Sequence, residues 1–466
     1  MKLKWLFCLT NRLDEKIIGN LPISEKDKYI FLRRIKKIRR EPKDFFKSSI
    51  KKRSLQLREK LPIKYKGENY FTVVSAVYNV ENYLEDYLKS LTNQSLSFNK
   101  HIHLILIDDG STDNSASIIK NWQKKYPKNI TYLHKYNEGQ ASARNLGLKY
   151  VKSKWVTFID PDDKIDINYF HNIDWAISRN SSAKILNTYI KFLSENGQAV
   201  IDKHPLKNRF TADIVCLPFN KIDCYINLSA ASTFFDYSLI KDNKLQFDEK
   251  LKISFEDAKF IFNYMSYLDY GDLLYVTKSI YFYRKHDCST TAKSWKDERK
   301  YIDTFKYGYL DSLEIFRNKP ELELLIKKTV LYDINNYINF LIDKPYALRF
   351  LGDKEILFYD LLRQVIKKID DSKLILESGI SYRNMAFILN YMKKIDTGII
   401  ILPVSNINQD YIFHGAFNEK HLAKNFVKSN NIIDSQYDIW EHSMGKDTLV
   451  FIGIRKANLS KLIINV

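Results

Sequence analysis

The sequence predicts an α/β fold built on a parallel sheet, and three observations predict it. Short apolar, β-branched runs recur between residues 70 and 160, separated by stretches whose apolar residues keep helical spacing. Several of these runs stop at a cluster of acidic or polar residues, the pattern expected where the strands of such a sheet meet a ligand. The 466-residue chain is 45% hydrophobic and 28% charged, so it has material for a real core and for more than one domain. Wholesale disorder and collagen-like or mucin-like chains are excluded by that composition.

Taken in order, residues 61–69 read as a linker and Phe71 to Val77 as the first strand. Tyr83, Leu84, Tyr87, Leu88 and Leu91 then mark a helix. Ile102 to Ile107 is a second strand, ending in Asp108-Asp109-Gly110-Ser111-Thr112-Asp113-Asn114, and Ile118, Ile119 and Trp122 mark the next helix. Ile130 to His134 is a strand, Gly139 to Tyr150 a helix, and Trp155 to Ile159 a strand that stops at Asp160-Pro161-Asp162-Asp163. Alternation of this length implies right-handed parallel crossovers. Farther on, Ala183 to Phe192 reads as a strand, Phe255 to Leu268 as a helix, and Leu273 to Tyr283 as a strand running into Arg284-Lys285-His286. Residues 297–395 read as helical, with Leu322, Leu325, Ile326 and Val330 in register. Residues 396–466 turn strand-like at Gly398 to Val404, Thr448 to Ile454 and Leu462 to Val466. Tyr301, Phe305, Tyr307, Tyr309, Tyr332, Tyr337 and Phe340 sit at helical spacing and are read as core rather than as sugar platforms.

The net charge of +19 is unevenly spread. Residues 1–66 hold 21 Lys+Arg against 7 Asp+Glu, leaving the other 400 residues nearly balanced. In this arm Phe31, Ile35 and Ile38 alternate with Arg33, Arg34, Lys36, Lys37, Arg39 and Arg40 until Pro42. A basic amphipathic helix of this kind suits an anionic membrane surface or a helix docked on its own protein. No zinc-finger, RNA-recognition or helix-turn-helix signature accompanies the charge, so nucleic acid is not expected as a partner. No window is long and apolar enough to span a bilayer, and the run Trp5 to Leu9 is too short for an export signal. Cys8, Cys216, Cys224 and Cys288 form no disulfide or zinc pattern. Cys216 and Cys224 are read as buried thiols, and the setting as cytoplasmic, with attachment to the inner membrane face through the arm.

Four acidic or basic groups carry chemistry. Asp160 and Asp162 flank one residue at a strand end, where both can reach one hard cation; the alternative is a capped turn. Asp108 and Asp109 at a strand tip repel each other, which a base or ribose donor would offset. Glu256 and Asp257 open a helix, as caps or as a general base for an acceptor hydroxyl. Arg284 and His286 end a strand, as a diphosphate fork and a metal ligand or as structural residues.

Phe71-Thr-Val-Val-Ser-Ala-Val-Tyr-Asn-Val-Glu-Asn-Tyr-Leu, Asp108-Asp-Gly-Ser-Thr-Asp, Asn137-Glu-Gly-Gln-Ala-Ser-Ala-Arg-Asn-Leu-Gly and Phe158-Ile-Asp-Pro-Asp-Asp, in that order, resemble the family-2 glycosyltransferases of the GT-A fold over roughly residues 70–290. The resemblance implies a nucleotide-diphosphate sugar donor, UDP-linked in the first instance, a divalent metal (Mn²⁺ or Mg²⁺) and inversion at the anomeric carbon. It places Ala76, Tyr78, Asn79, Glu81, Asp108, Asp109, Arg144 and Asp160 at the donor nucleotide. It places Asp160, Asp162 and His286 at the metal, Asp257 as the catalytic base, and Asp163, Glu256 and Arg284 at the diphosphate or acceptor. Two departures are visible: Ala76-Val77 where a proline often precedes the Tyr-Asn pair, and Pro161 at the centre of the metal motif. The acceptor it implies is a hydroxyl of a bacterial surface glycan or its lipid-linked carrier. A degenerate GT-A domain acting as a glycan- or membrane-binding scaffold is the alternative. The expected organisation is a basic arm (1–66), a GT-A domain (67–296), a helical region (297–395) and a small β-rich end (396–466), the last two available for acceptor binding or self-association.

Overall fold

Seven consecutive residues of β1 (Phe71–Val77) are almost wholly buried, as a strand covered on both faces must be. The computed structural model describes residues 67–370 apart from breaks at 269–270, 287–288, 290–292, 316–318 and 344–346. It also describes residues 374 and 388 and the backbone of strands at 399–401, 411–417, 437–444 and 447–455. The basic arm lies outside the described residues, as does the strand expected at Leu462 to Val466.

β1 pairs in parallel with β2 (Ile102–Asp109) on one side and β4 (Trp155–Thr157) on the other, and β2 pairs in parallel with β3 (Ile130–Lys135). Helices α1 (Glu81–Thr92), α2 (Ser115–Lys125) and α3 (Gln140–Leu148) supply the crossovers. Within α3, Gly147 lets the helix lie against the sheet, since a Cβ there would run into Val74 and Ile107. All seven of these elements were read from periodicity, with ends shifted by one or two residues.

The second half of the sheet departs from the parallel expectation. Its order is β3-β2-β1-β4-β9-β6-β10-β5, with β5 (Lys164–Ile165), β6 (Ala183–Leu193), β9 (Thr233–Asp236) and β10 (Asp272–Arg284). β9 runs antiparallel to both β4 and β6, so the sheet is mixed. A four-residue strand carries too little periodicity to be read alone, and β9 was not foreseen. β7 (Val200–Ile201) and β8 (Ile214–Pro218) extend the edges of β6 and β10. Cys216 on β8 is exposed, not buried as expected, because the strand pairs at the margin of the sheet.

α4 (Tyr169–Arg179), α5 (Tyr237–Asp242) and α6 (Glu256–Ser266) complete the domain. A helical run follows: Glu298–Tyr301, a π-helical stretch Thr304–Leu310, Asp311–Ile315, α7 (Pro320–Asp343) and α8 (Lys354–Ile369). One hydrophobic core is continuous from Val74 through Phe260 to Tyr337 and Ile366, crossing the expected boundary at 296–297. Tyr301, Phe305, Tyr309 and Tyr337 are buried in it. The C-terminal strands β11 (Ile399–Ile401), β12 (Tyr411–Phe417), β13 (Tyr437–Met444) and β14 (Asp447–Arg455) form an antiparallel sheet of order β11-β12-β14-β13. Among the described residues no helix is long and apolar enough to cross a membrane.

Candidate active site

The carboxyl ends of β1, β2 and β4 converge with the start of α6. At the end of β1 the backbone turns through Asn79 in the left-handed region (φ 52°). Asn79 Oδ1 accepts from the Thr112 N–H at 2.8 Å, and Glu81 Oε2 accepts from the Asn114 N–H and side-chain amide at 2.9 and 2.7 Å. These two residues, expected on the nucleotide, therefore spend these oxygens lacing the β1 turn to the loop after β2. Tyr78, just before them, is half-exposed, and Ala76 is half-buried at the strand end.

The paired acids at the tip of β2 are tied to separate partners. Asp108 accepts from the Ser111 N–H at 2.8 Å and the Tyr132 hydroxyl at 2.9 Å, and its Oδ2 lies 3.2 Å from His134 Nδ1. Burial alone would raise this carboxyl, but those hydrogen bonds outweigh it and hold it below the usual carboxylate range. Asp109 takes Lys135 Nζ at 3.1 Å and the N–H groups of Glu138 and Gly139 at 3.1 and 2.8 Å. Gly139 (φ 100°) lets the chain turn into α3 over that carboxylate.

From α3, Arg144 reaches the centre of the site with 1% of its surface exposed. One terminal nitrogen donates to Asp257 Oδ1 at 2.6 Å and the other to Asp160 Oδ1 at 2.8 Å. The guanidinium lies over Phe247, 5.1 Å from the ring centre, while its buried Nε has no partner. Gln140 adds a second donor to Asp160 Oδ1 at 2.9 Å. The other oxygen of Asp257 accepts from the Ala230 N–H at 2.8 Å. Burial pulls the Arg144 pKa down, but Asp257, Asp160 and Glu256 more than reverse this. Burial, with Asp162 and Asp257 nearby, pushes Asp160 up to about 7 against the pull of Arg144. Glu256 is likewise pushed up to about 7, by burial and then by Asp257.

The third cluster sits where β10 ends. His286, nearly buried, sets Nε2 3.0 Å from Asp162 Oδ2, packs at a tilt against Tyr83 with ring centres 4.7 Å apart, and leaves a buried Nδ1 without a partner. Among the described residues no three acidic, His or Cys side chains converge as a metal cage. The donor set still fits a hard cation held by Asp162 and His286 that takes its remaining oxygens from water and phosphate. Asp160 Oδ1 is committed to Arg144 and Gln140.

Two expected contacts are spent elsewhere. Arg284 is 2% exposed, and its donors go to the carbonyls of Asp162 and Glu195 at 2.7 and 2.6 Å and to Asp86 at 3.4 Å, with Tyr83 beneath it. It braces the Asp160–Asp163 turn rather than presenting a fork to a diphosphate. Asp163 is buried, accepting from the Tyr281 hydroxyl at 2.5 Å and the Arg284 N–H at 2.7 Å. Burial and the neighbouring Asp162 and Asp160 raise its pKa well above the carboxylate range. A carboxyl that keeps its proton is mimicked by an amide. Asp163→Asn is therefore expected to cost under about 1 kcal/mol, whereas Asp163→Ala, which strands two buried donors, costs about 2–4 kcal/mol. Chemical denaturation of the two variants checks this; equal losses would remove the bracing role.

Sequence reading missed Gln140 and Ala230 as partners of Asp160 and Asp257. Gln140 lay inside a recognised motif, whereas Ala230 acts through its backbone and leaves no side-chain signal.

The chain belongs to the glycosyl transferase family 2, whose family model matches residues 72–224, and its GT-A fold is the one the four motifs implied. The match contains Tyr78, Asp108, Asp109, Arg144, Asp160 and Asp162, while Asp257 and His286 lie beyond it. The chain is similar to the minor teichoic acid biosynthesis protein GgaB of Bacillus subtilis (strain 168), 31% identical over 340 residues. That alignment takes in 72% of this chain but only 36% of GgaB. GgaA of the same organism is 29% identical over 357 residues, covering 74% of this chain and 76% of GgaA. In fold, residues covering 69% of the chain superpose on 89% of Staphylococcus aureus TarS 1–349 in complex with UDP-GlcNAc, with a TM-score of 0.52 and 20% identity.

Proposed function

We propose that this protein moves a sugar from a UDP-linked donor to a hydroxyl of a bacterial surface glycan of the teichoic acid type, in one inverting displacement. The observation that carries the reading is Arg144, which holds Asp160 on the donor side and Asp257 on the acceptor side within one buried fork. The names of GgaA and GgaB support the acceptor class, and the UDP-GlcNAc bound to TarS supports the donor class.

Tyr78, exposed at the end of β1, offers a ring face to the base. Asp108 and Asp109, through their ties to β3 and the 135–139 turn, hold the walls of the nucleoside site. Asp257 is oriented from two sides and takes the proton of the acceptor hydroxyl as its oxygen attacks C1. The C1–O bond to the diphosphate breaks on the opposite face, so configuration inverts. Glu256, adjacent and with its pKa raised to about 7 by burial and by Asp257, leaves Asp257 as the charged acid of the pair opposite Arg144. Asp162 and His286 would hold a divalent cation, which supplies charge neutralisation of the diphosphate leaving group. Fixing both substrates on rigid strand ends contributes much of the acceleration. The basic arm suits anionic headgroups or a polyphosphate acceptor held near the inner membrane face.

Incubating the full chain with a panel of nucleotide sugars, Mn²⁺ and a poly(alditol phosphate) acceptor is expected to release nucleotide from a UDP-linked donor only. Release from no donor under any divalent cation would overturn the enzymatic reading.

A further inference from the structure

Phe255 precedes the two acids of α6 with a backbone φ of 73°, in the left-handed region that bulky side chains avoid. Such a residue persists only where its surroundings over-determine it. Its surroundings come from the helical run that follows the sheet domain. Tyr309 packs edge-on against the Phe255 ring at 4.7 Å. Gly308 lies so close that a Cβ there would stand 3.1 Å from Phe255 Cδ1. Ser254 Oγ and Thr304 Oγ1 are hydrogen-bonded at 2.9 Å. One turn into α6, the nearly buried Lys259 extends its ammonium to Asp248 at 2.7 Å, the Tyr307 carbonyl at 2.6 Å and Asp311 at 2.9 Å. Apart from Asp248 and Asp311, the segment supplying these contacts, Thr304–Leu310, is π-helical, a form rare enough to mark a functional constraint.

We infer that the helical run 304–311 is a positioning element for α6: Gly308 and the contacts that Tyr307 and Asp311 make to Lys259 hold Phe255 in its strained turn and so aim Asp257 at Arg144. This rests on the reading of Asp257 as the base. The helical region then acts inside the catalytic cycle rather than as an appended acceptor module. A buried ammonium satisfied by two carboxylates and a carbonyl fixes the rotation of α6, and the close glycine contact fixes its axial position. Both constraints bear on the first turn of α6, where Glu256 and Asp257 sit.

The test uses the full chain carrying Lys259→Met, Lys259→Arg or Gly308→Ala. Lys259→Met keeps the side-chain volume and loses the three polar contacts, and Gly308→Ala pushes on Phe255 by a few tenths of an ångström. Each is expected to lower kcat about tenfold to a hundredfold with donor KM within about twofold of the parent, and Lys259→Arg is expected to recover most of the loss. Hydrogen–deuterium exchange gives a readout independent of turnover. Amides 256–262 are expected to exchange faster in Lys259→Met and Gly308→Ala, with those of β1 and β2 unchanged. Unchanged kcat in both variants, or unchanged exchange at 256–262, overturns the inference. Absence of turnover in the parent chain would instead overturn the enzymatic reading, and exchange would still decide the bracing.

Discussion

Asp257→Asn is expected to lower kcat by about 10²–10⁴-fold, the contribution of a positioned general base, with UDP binding, measured by calorimetry, within about twofold of the parent. The split follows from geometry. Asp257 is oriented by Arg144 and the Ala230 N–H, whereas the walls of the proposed nucleoside site are set by Asp108, Asp109 and the end of β1. An amide has one acceptor oxygen for two inward-pointing donors, so its NH₂ must meet either the guanidinium or the Ala230 N–H. That mismatch adds about 1–3 kcal/mol of destabilisation, visible as a lowered midpoint in urea. Glu256→Gln serves as the control, because Glu256 is adjacent and holds its proton to about pH 7. Full activity in Asp257→Asn with loss in Glu256→Gln would transfer the base role to Glu256.

What the sequence made legible follows from which physics is local. β1 and β2 and the helices after them were readable because each buries a continuous apolar run or stripe, and the acids at the end of β2 mark its tip directly, whereas the half-buried β3 was readable from its β-branched and aromatic residues. β9 was not, since it is defined by pairing between β4 and β6, and four residues carry no period of their own. The same distinction separates the site residues. Asp160, Asp162 and Asp257 were singled out by type and place, and the fold brings Asp160 and Asp257 onto one guanidinium. Arg284 and Asp163 were assigned to substrate because a charged pair at a strand end is ambiguous until its partners are known. The carbonyls of Asp162 and Glu195, which occupy Arg284, are backbone groups that every sequence has. The bond between Arg144 and Asp257 spans 113 positions, and no spacing rule reaches that far.

Arg144→Met is expected to cost about 3–5 kcal/mol, because it removes the buried guanidinium that pairs two largely buried acids. For a chain of this size that amounts to about 3–5 °C in Tm. The loss also has a sign in pH. Asp160 and Glu256 have folded values raised to about 7, so the folded state binds protons more readily than the unfolded one. Their contribution is therefore fully present below the unfolded carboxylate range and is lost as pH rises through about 7. Without Arg144 the carboxyls rise further, and the loss deepens. In metal-free protein the gap in Tm between the parent and Arg144→Met should thus be small near pH 5 and widen toward pH 8. Arg144→Lys separates charge from geometry. Its ammonium restores a positive charge beside the acids but cannot fork to Asp160 and Asp257 through separate nitrogens, nor lie flat over Phe247. Stability should return in part while kcat stays about a hundredfold low, since a base aimed from one side only is poorly placed for the acceptor hydroxyl. A Tm for Arg144→Met within about 2 °C of the parent at pH 8 would mean that solvent already screens these acids. The fork would then orient Asp257 without holding the site together.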